Sequence, residues 1–338
     1  MAKNYRDATR EGTAAAARFH VRMKSQQNIS ELGGHIDVFS YILEELTELL
    51  FRPLQGLLGA YMPDSRRPGI LITTQRPLSI QRFTAAHELG HFLLKHEPSF
   101  DGEEMLRRGV IPASSSSANL QEVSADAFAV AFMMPRWLIE WHCDRHGWWG
   151  DGLTHPANIY QLSLRIGASY QATCWTLERY RMISSSLRRA LLGASPKSVK
   201  EELLGSHIPE SYRGNVWLIT EADAGTRIDG SRNDHFVLRL KEHSSGGYLW
   251  NFDAFEKSGF AILEDKRDSI DHSGIGGLVS RRILASSGNA AHGYVSLTEA
   301  RPWQPHVPRA QIVLDYDVTG PESEGLSRIE RRRLLAAA

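Results

Sequence analysis

The chain has 338 residues, of which 42% are apolar, 9% aromatic and 23% charged. At about 150 residues per domain this length predicts two or three domains with real cores, and the composition excludes disordered, collagen-like and membrane-spanning classes. Lys plus Arg and Asp plus Glu each total 39, so no global charge excess draws the chain to nucleic acid or anionic lipid.

The first 25 residues carry Lys3, Arg6, Arg10, Arg18, Arg22 and Lys24 and no unbroken apolar run, and no later stretch approaches ~18 apolar residues. Neither a signal peptide nor a membrane span is expected. Residues 29–50 have apolar side chains at helical spacing after a Gly-Gly break, and LQGLLGAYM and GILIT then read as two short strands. A helix is predicted from Ser79, as its cap, to Lys95. The polar stretch from Pro98 to Ser117 reads as a surface loop. A second helix runs from Asn119, its cap, to Met134, stopped by Pro135. Helical stretches at 157–167 and 169–182 join at Gly167-Ala168-Ser169, with a more polar helical piece to Leu204.

Beyond Gly205 the pattern changes to short strands, VWLIT, HFVLRL, GYLWNF, GFAIL, VSRRIL, GYVSL and AQIVLDYDV, which suggest a β-sandwich. From Glu322 the tail is polar and ends in RIERRRLLAAA, read as a solvated or frayed helix. The two cysteines, Cys143 and Cys174, are too few for a disulfide framework and favour a reducing cytoplasm.

Within TAAHELGHFLLKH, His87, Glu88 and His91 form His-Glu-x-x-His, which puts two imidazoles on one helix face. Glu88 lies about 100° round the helix from His87, placed to reach a water beside a shared ion without binding the ion itself. A catalytic zinc site needs a third ligand. An extended metzincin pattern would need Gly at 94 and His at 97, where the chain has Leu94 and Glu97; His96 would point away if the helix continued. Glu122 is the better donor: Asp126 shares its face, and the small Ala125 and Ala129 allow close approach of the two helices. Asp126 then suits the role of orienting a ligand histidine. Zinc would lower the pKa of its water to about 7, and Glu88 would take the proton and deliver it to the leaving amine. His96, His142, His146 and Tyr61 are unranked candidates for an oxyanion donor.

On QRFTAAHELGHFLLKH at 81–96, the preceding GILIT, and EVSADAFAVAFMMP at 122–135, the chain resembles the ImmA/IrrE family of bacterial metallopeptidases over residues 29–185. The resemblance implies an intracellular zinc endopeptidase that cleaves helix-turn-helix repressors under DNA damage or another stress, in prophage or defence settings. Carried over, His87, His91 and Glu122 are ligands and Glu88 is the base. NIYQLSLRIGASYQATCWTLERYRMIS is similar to that family's helix-turn-helix-like segment. A net charge of +3 over residues 146–205 and the packing character of Trp175 and Leu177 favour a structural role over DNA binding there.

Residues 213–318 resemble chagasin-like inhibitors of cysteine peptidases, an immunoglobulin-like fold with three inhibitory loops. LKEHSSGGYLW at 240–250, SGIGGL at 273–278 and ARPWQP at 300–305 stand in their places, the first without its Asn, Pro and Thr residues. Gly246, Gly247, Tyr248, Gly274, Gly276, Arg301 and Trp303 are therefore candidate partner-binding residues, whereas Trp250, inside a predicted strand, reads as packing.

The expected fold class is α+β and multidomain. It comprises an N-terminal helical extension (1–28), a zincin-like, mainly helical metallopeptidase with a small sheet (29–145), a helix-turn-helix-like segment (146–205), a chagasin-like sandwich (206–321) and a polar tail (322–338). The leading expectation is a cytoplasmic, zinc-dependent endopeptidase that cuts a regulatory protein, a repressor encoded nearby, with the sandwich as sensor or substrate grip. Two rivals stand beside it: a non-catalytic DNA- or protein-binding regulator with a structural metal, and an inhibitor module on a degenerate peptidase scaffold.

Overall fold

The computed structural model describes residues 4–45, 47–63, 66–97, 99–102, 119–269 and 279–337. The chain is mixed α and β. Helices α1 (Tyr5–Arg22) and α2 (Val38–Glu44) lead into strands β1 (Glu48–Arg52), β2 (Leu57–Met62) and β3 (Gly69–Thr73). Then come α3 (Leu78–Leu94), β4 (Ser99–Gly102), α4 (Leu120–Met133) and α5 (Arg136–His146). Four helices follow, α6 (Pro156–Arg165), α7 (Tyr170–Arg179), α8 (Ser185–Gly193) and α9 (Pro196–Leu204). The C-terminal part holds β5 (Val216–Ile219), β6 (Arg227–Asp229), β7 (His235–Glu242), β8 (Leu249–Asn251), α10 (Asp253–Lys257), β9 (Ala261–Ser269), β10 (Val279–Ser286), β11 (His292–Ala300) and β12 (Ala310–Asp317). The short β13 (Gly325–Leu326) and α11 (Arg328–Ala337) end it. No helix among the described residues is long and apolar enough to cross a membrane.

The helix expected over 29–50 stops at Glu44, and Glu48–Arg52 is a strand. Its burial alternates, with Leu49 and Phe51 inward, and β1 pairs in parallel with β3. A short apolar run fits both periods, and pairing with β3 decides for the strand. The first sheet has the order β13-β1-β3-β2-β4, larger than the two strands expected. Residues 99–102, expected in a loop, pair with β2, while 103–118, with the serine run, lie outside the described residues. Helix α3 starts after Pro77 without a side-chain cap, so Ser79 is not the cap; Asn119 does cap α4, accepting from the Gln121 N–H.

The C-terminal strands form two four-stranded sheets, β5-β7-β10-β9 and β6-β12-β11-β8. Trp217, Phe236, Leu238 and Ile283 from the first share one hydrophobic cluster with Trp250, Leu297, Ile312 and Leu314 from the second. The opposite face of the first sheet is also covered: Val216, Val237 and Leu284 belong to the large core that includes Ile159, Leu162 and Leu203 of α6 and α9. Burial on both faces explains why HFVLRL is nearly continuously apolar. Helix α6 also closes the edge of β5, because the Gln161 side chain donates to the Val216 carbonyl at 2.8 Å and accepts from the Leu218 N–H at 2.8 Å.

The closing helix is solvated as expected, since Arg328–Ala337 buries no residue, but the segment before it is packed. Glu322 and Ser327 are buried, β13 pairs with β1, and α11 lies beyond.

Candidate metal centre

Helices α3 and α4 build the centre because they cross closely. Gly90 of α3 lies against the Phe128 ring of α4; a Cβ there would sit 3.1 Å from Cδ1. On α3, His87 and His91 are one turn apart and fully buried, and their Nε2 atoms face each other at 2.9 Å. Glu122, in the first turn of α4, brings Oε2 to 3.4 Å from His87 Nε2 and Oε1 to 3.6 Å from His91 Nε2. These three residues offer donor atoms that all lie within 4.8 Å of one another and could hold a metal ion.

The donor set fits a cation. In a tetrahedral site with metal–ligand distances of about 2.0–2.2 Å, neighbouring donors stand roughly 3.3–3.5 Å apart, and the observed separations of 2.9, 3.4 and 3.6 Å bracket that value. Two imidazole nitrogens and a buried carboxylate converging on one point are a donor set that a bound cation would satisfy.

Each histidine is oriented through its other nitrogen. His87 Nδ1 lies 2.9 Å from Asp126 Oδ1. His91 Nδ1 lies 3.0 Å from His96 Nδ1, and His96 Nε2 lies 3.2 Å from Ser124 Oγ. His96 therefore does not point away. Helix α3 ends at Leu94, and Lys95 adopts a left-handed conformation (φ 57°), which swings His96 back over His91. With His91 Nε2 offered to a metal, Nδ1 carries the proton and donates to His96 Nδ1. His96 Nε2–H then donates to Ser124, whose hydroxyl donates to the Leu120 carbonyl at 3.0 Å. This relay was not read from the sequence, because it depends on where the helix stops.

Glu88 is fully buried beside β2, where a Cβ on Gly59 would meet Glu88 Oε1 at 2.9 Å and Thr84 Cγ2 at 2.5 Å. Gly59 thus makes room for the carboxylate. Its signal was the glycine inside a strand-like run, LLGAYM.

Of the other candidates, Tyr61 is buried on β2 against Phe92, and burial raises its pKa. His142 and His146 lie outside the metal group. His142 Nε2 is 2.9 Å from the Gly34 carbonyl, and His146 stacks on Trp148 with Asp223 at 3.5 Å. Burial holds His142 well below the usual histidine range and His146 at about 4.

The structure also joins most of the C-terminal loop residues. Arg301 Nε donates to the Gly246 carbonyl at 3.1 Å, and its guanidinium lies 4.6 Å from the Tyr248 ring. Gly247 adopts φ 78°, and a Cβ there would meet the Trp303 ring at 2.6 Å. Trp303 is 68% exposed, whereas Trp250 is buried and donates to the Lys241 carbonyl at 2.8 Å. Gly274 and Gly276 lie outside the described residues.

No curated protein matches the chain. Among solved structures, a cysteine protease inhibitor of Entamoeba histolytica is similar at 21% identity, covering 30% of this chain and 95% of its own, with a TM-score of 0.27. Amebosin is similar at 21% identity, covering 30% and 96%, with a TM-score of 0.24. A Mycobacterium tuberculosis transcriptional regulator is similar at 13% identity, covering 81% and 80%, with a TM-score of 0.29. Likeness at that level does not establish a shared fold. Residues 47–177, which contain the whole candidate metal centre, match the peptidase M78 family, described as the IrrE N-terminal-like domain.

Proposed function

We propose that the chain is a zinc-dependent endopeptidase that cuts a regulatory protein, specifically a helix-turn-helix repressor encoded nearby, in a stress, DNA-damage, prophage or defence response. The observation that carries the reading is the buried meeting of His87, His91 and Glu122 with Glu88 next to them on the same helix. The family match supports peptide-bond hydrolysis, and the sequence resemblance supports the substrate class.

In this reading His87, His91 and Glu122 hold the ion, Asp126 fixes the tautomer of His87, and His96 fixes that of His91. Bound zinc supplies Lewis acidity and an acidified water at neutral pH. Glu88 accepts a proton at its carboxylate and returns it to the leaving amine. Gly59 leaves the space in which that carboxylate moves.

The reading places the peptidase in residues 29–145 and the helix-turn-helix-like segment in 146–205 as a scaffold, since α6 spends Gln161 and Arg165 on β5 and Asp223. The two C-terminal sheets with a common core support a sandwich, and its exposed Trp303 supports a substrate grip.

Glu88→Gln tests the reading. With the chain co-expressed beside the repressor encoded next to it, wild type should yield repressor fragments by mass spectrometry. The variant should yield none, a loss of at least about 100-fold, the lower end of the range for general acid–base catalysis, while keeping its zinc content and melting temperature. Undiminished cleavage in the variant would overturn the mechanism.

A further inference from the structure

Where the start of α3, the end of α4 and one side of α7 meet, the chain leaves an apolar pocket of about 280 Å³. Three helical stripes wall it: Ile80 and Phe83 of α3, Val130 and Met133 of α4, and Ala172 and Trp175 of α7, each pair about one turn apart. Small residues keep the stripes from closing on each other, since the α6–α7 turn brings Gly167 and Ala168 to the gap and α7 brings the methyl group of Ala172. Protein interiors are close-packed, and an apolar space left open forfeits dispersion contacts that a ligand of matching shape would make.

Trp175 is a fixed wall. The Arg188 guanidinium lies 3.6 Å from its ring centroid and is itself held by Glu178 at 2.5 Å. A ring clamped in this way is ordered before a ligand arrives, which lowers the cost of binding. Trp175, Phe83 and the thioether of Met133 favour an aromatic ring over an alkyl chain. A cavity of about 150 Å³ holds benzene, so this one has room for a two-ring system with a short side chain.

Charge sets the other half of the ligand. Arg179, one turn beyond Trp175 on α7, is the one charged residue in the wall among the described residues. It is exposed and makes no ion pair among the described residues, and the adjacent carboxylate, Glu178, is spent on Arg188. A guanidinium takes a carboxylate through two parallel N–H donors.

We propose that this pocket binds a small aromatic carboxylate, with its ring between Phe83, Met133 and Trp175 and its acid group on Arg179. The site is separate from the metal centre and goes beyond hydrolysis there. Both stand on the same two helices, since Phe83 precedes His87 by about one turn and Val130 follows Glu122 by about two. An occupied pocket therefore braces α7 against the pair of helices that brings the metal ligands together.

Calorimetric titration of the full chain with naphthylacetate, its neutral amide and octanoate is the test. Naphthylacetate should bind most tightly of the three, and equally in protein stripped of metal, which separates this site from the peptidase reading. Arg179→Ala should weaken naphthylacetate by roughly fivefold, the weight of an exposed ion pair, and leave the amide unchanged. Ala172→Leu, which puts a larger side chain into the gap, should remove binding of both ring compounds without lowering the melting temperature. If leucine is not accommodated there, the surface variant Arg179→Ala still decides. Absence of binding at millimolar concentration, equal affinity for octanoate, indifference to Arg179→Ala, or unchanged affinity in a folded Ala172→Leu protein would overturn the proposal.

Discussion

His96 depends on one backbone angle. A left-handed Lys95 costs of order 1–2 kcal/mol for a residue with a side chain, and what that strain achieves is an acceptor 3.0 Å from His91 Nδ1. A histidine that binds metal through Nε2 needs such an acceptor to hold its tautomer. We expect His96→Phe to weaken zinc binding by about 10–100-fold in competition with a chromophoric chelator, with little change in the melting temperature of the metal-free protein. Unchanged affinity would reduce His96 to packing. The residue types at 87, 88, 91, 122 and 126 were legible because helical spacing alone places them on shared faces. His96, Ser124 and Gly59 were not, because a helix stop and a strand crossing bring them in, and neither leaves a periodic trace.

The same distinction holds for the elements. Helices α3, α4, α6 and α7 emerged at nearly their expected positions because caps, prolines and a glycine turn mark their ends. Strands β1, β6 and β13 did not, since runs of two to five residues become strands only when a partner is present. The N-terminal extension is likewise defined by its partner. Helix α1 crosses α4 so closely that a Cβ on Gly12 would run into the Ser124 carbonyl oxygen and stand 2.9 Å from the Phe128 nitrogen. Both obstacles are backbone, so they cannot rotate aside. Around this crossing Phe19 packs edge-on against Tyr41 and Phe132. Gly12→Ala should therefore cost about 3 kcal/mol or more, outweighing the helix-propensity gain of about 1 kcal/mol that alanine brings. Chemical denaturation reads the difference. A stabilised variant would show that the helices part without cost, and then Ser124, at the end of the relay behind His91, would not owe its position to α1.

At the scale of the whole molecule, the polar tail ties the last strands back to the helix of the metal centre. Gln81 of α3 is fully buried; its amide donates to the carbonyls of Thr73 and Glu322 at 3.0 and 3.3 Å and accepts from the Glu322 N–H at 2.8 Å. The Glu322 carboxylate in turn accepts from the Arg328 N–H and guanidinium at 2.9 and 2.8 Å, and Asp317, where β12 ends, pairs with Arg328 and Arg332. The charges that made the tail look solvated in sequence are spent on buried carboxylates, which composition cannot reveal. Asp229 belongs to the same junction: burial would raise its pKa, but Arg82, His35, Arg227 and Arg328 hold it at about 2. Ending the chain after Pro321 removes the edge strand β13, leaves two Gln81 partners unmet and takes Arg328 and Arg332 from Asp317, which keeps only the more distant Arg227 at 4.0 Å among the described residues. At about 1–3 kcal/mol for each buried polar group left unsatisfied, the shortened chain should lose roughly 3–6 kcal/mol of stability. Hydrogen exchange should show the loss first at β1 and the α3 first turn, ahead of the α4 segment that bears Glu122. Loss of a solvated appendage would leave the melting temperature and exchange at β1 unchanged, so the pattern of deprotection decides whether the C-terminal segment is part of the peptidase-like sheet or an attachment to it.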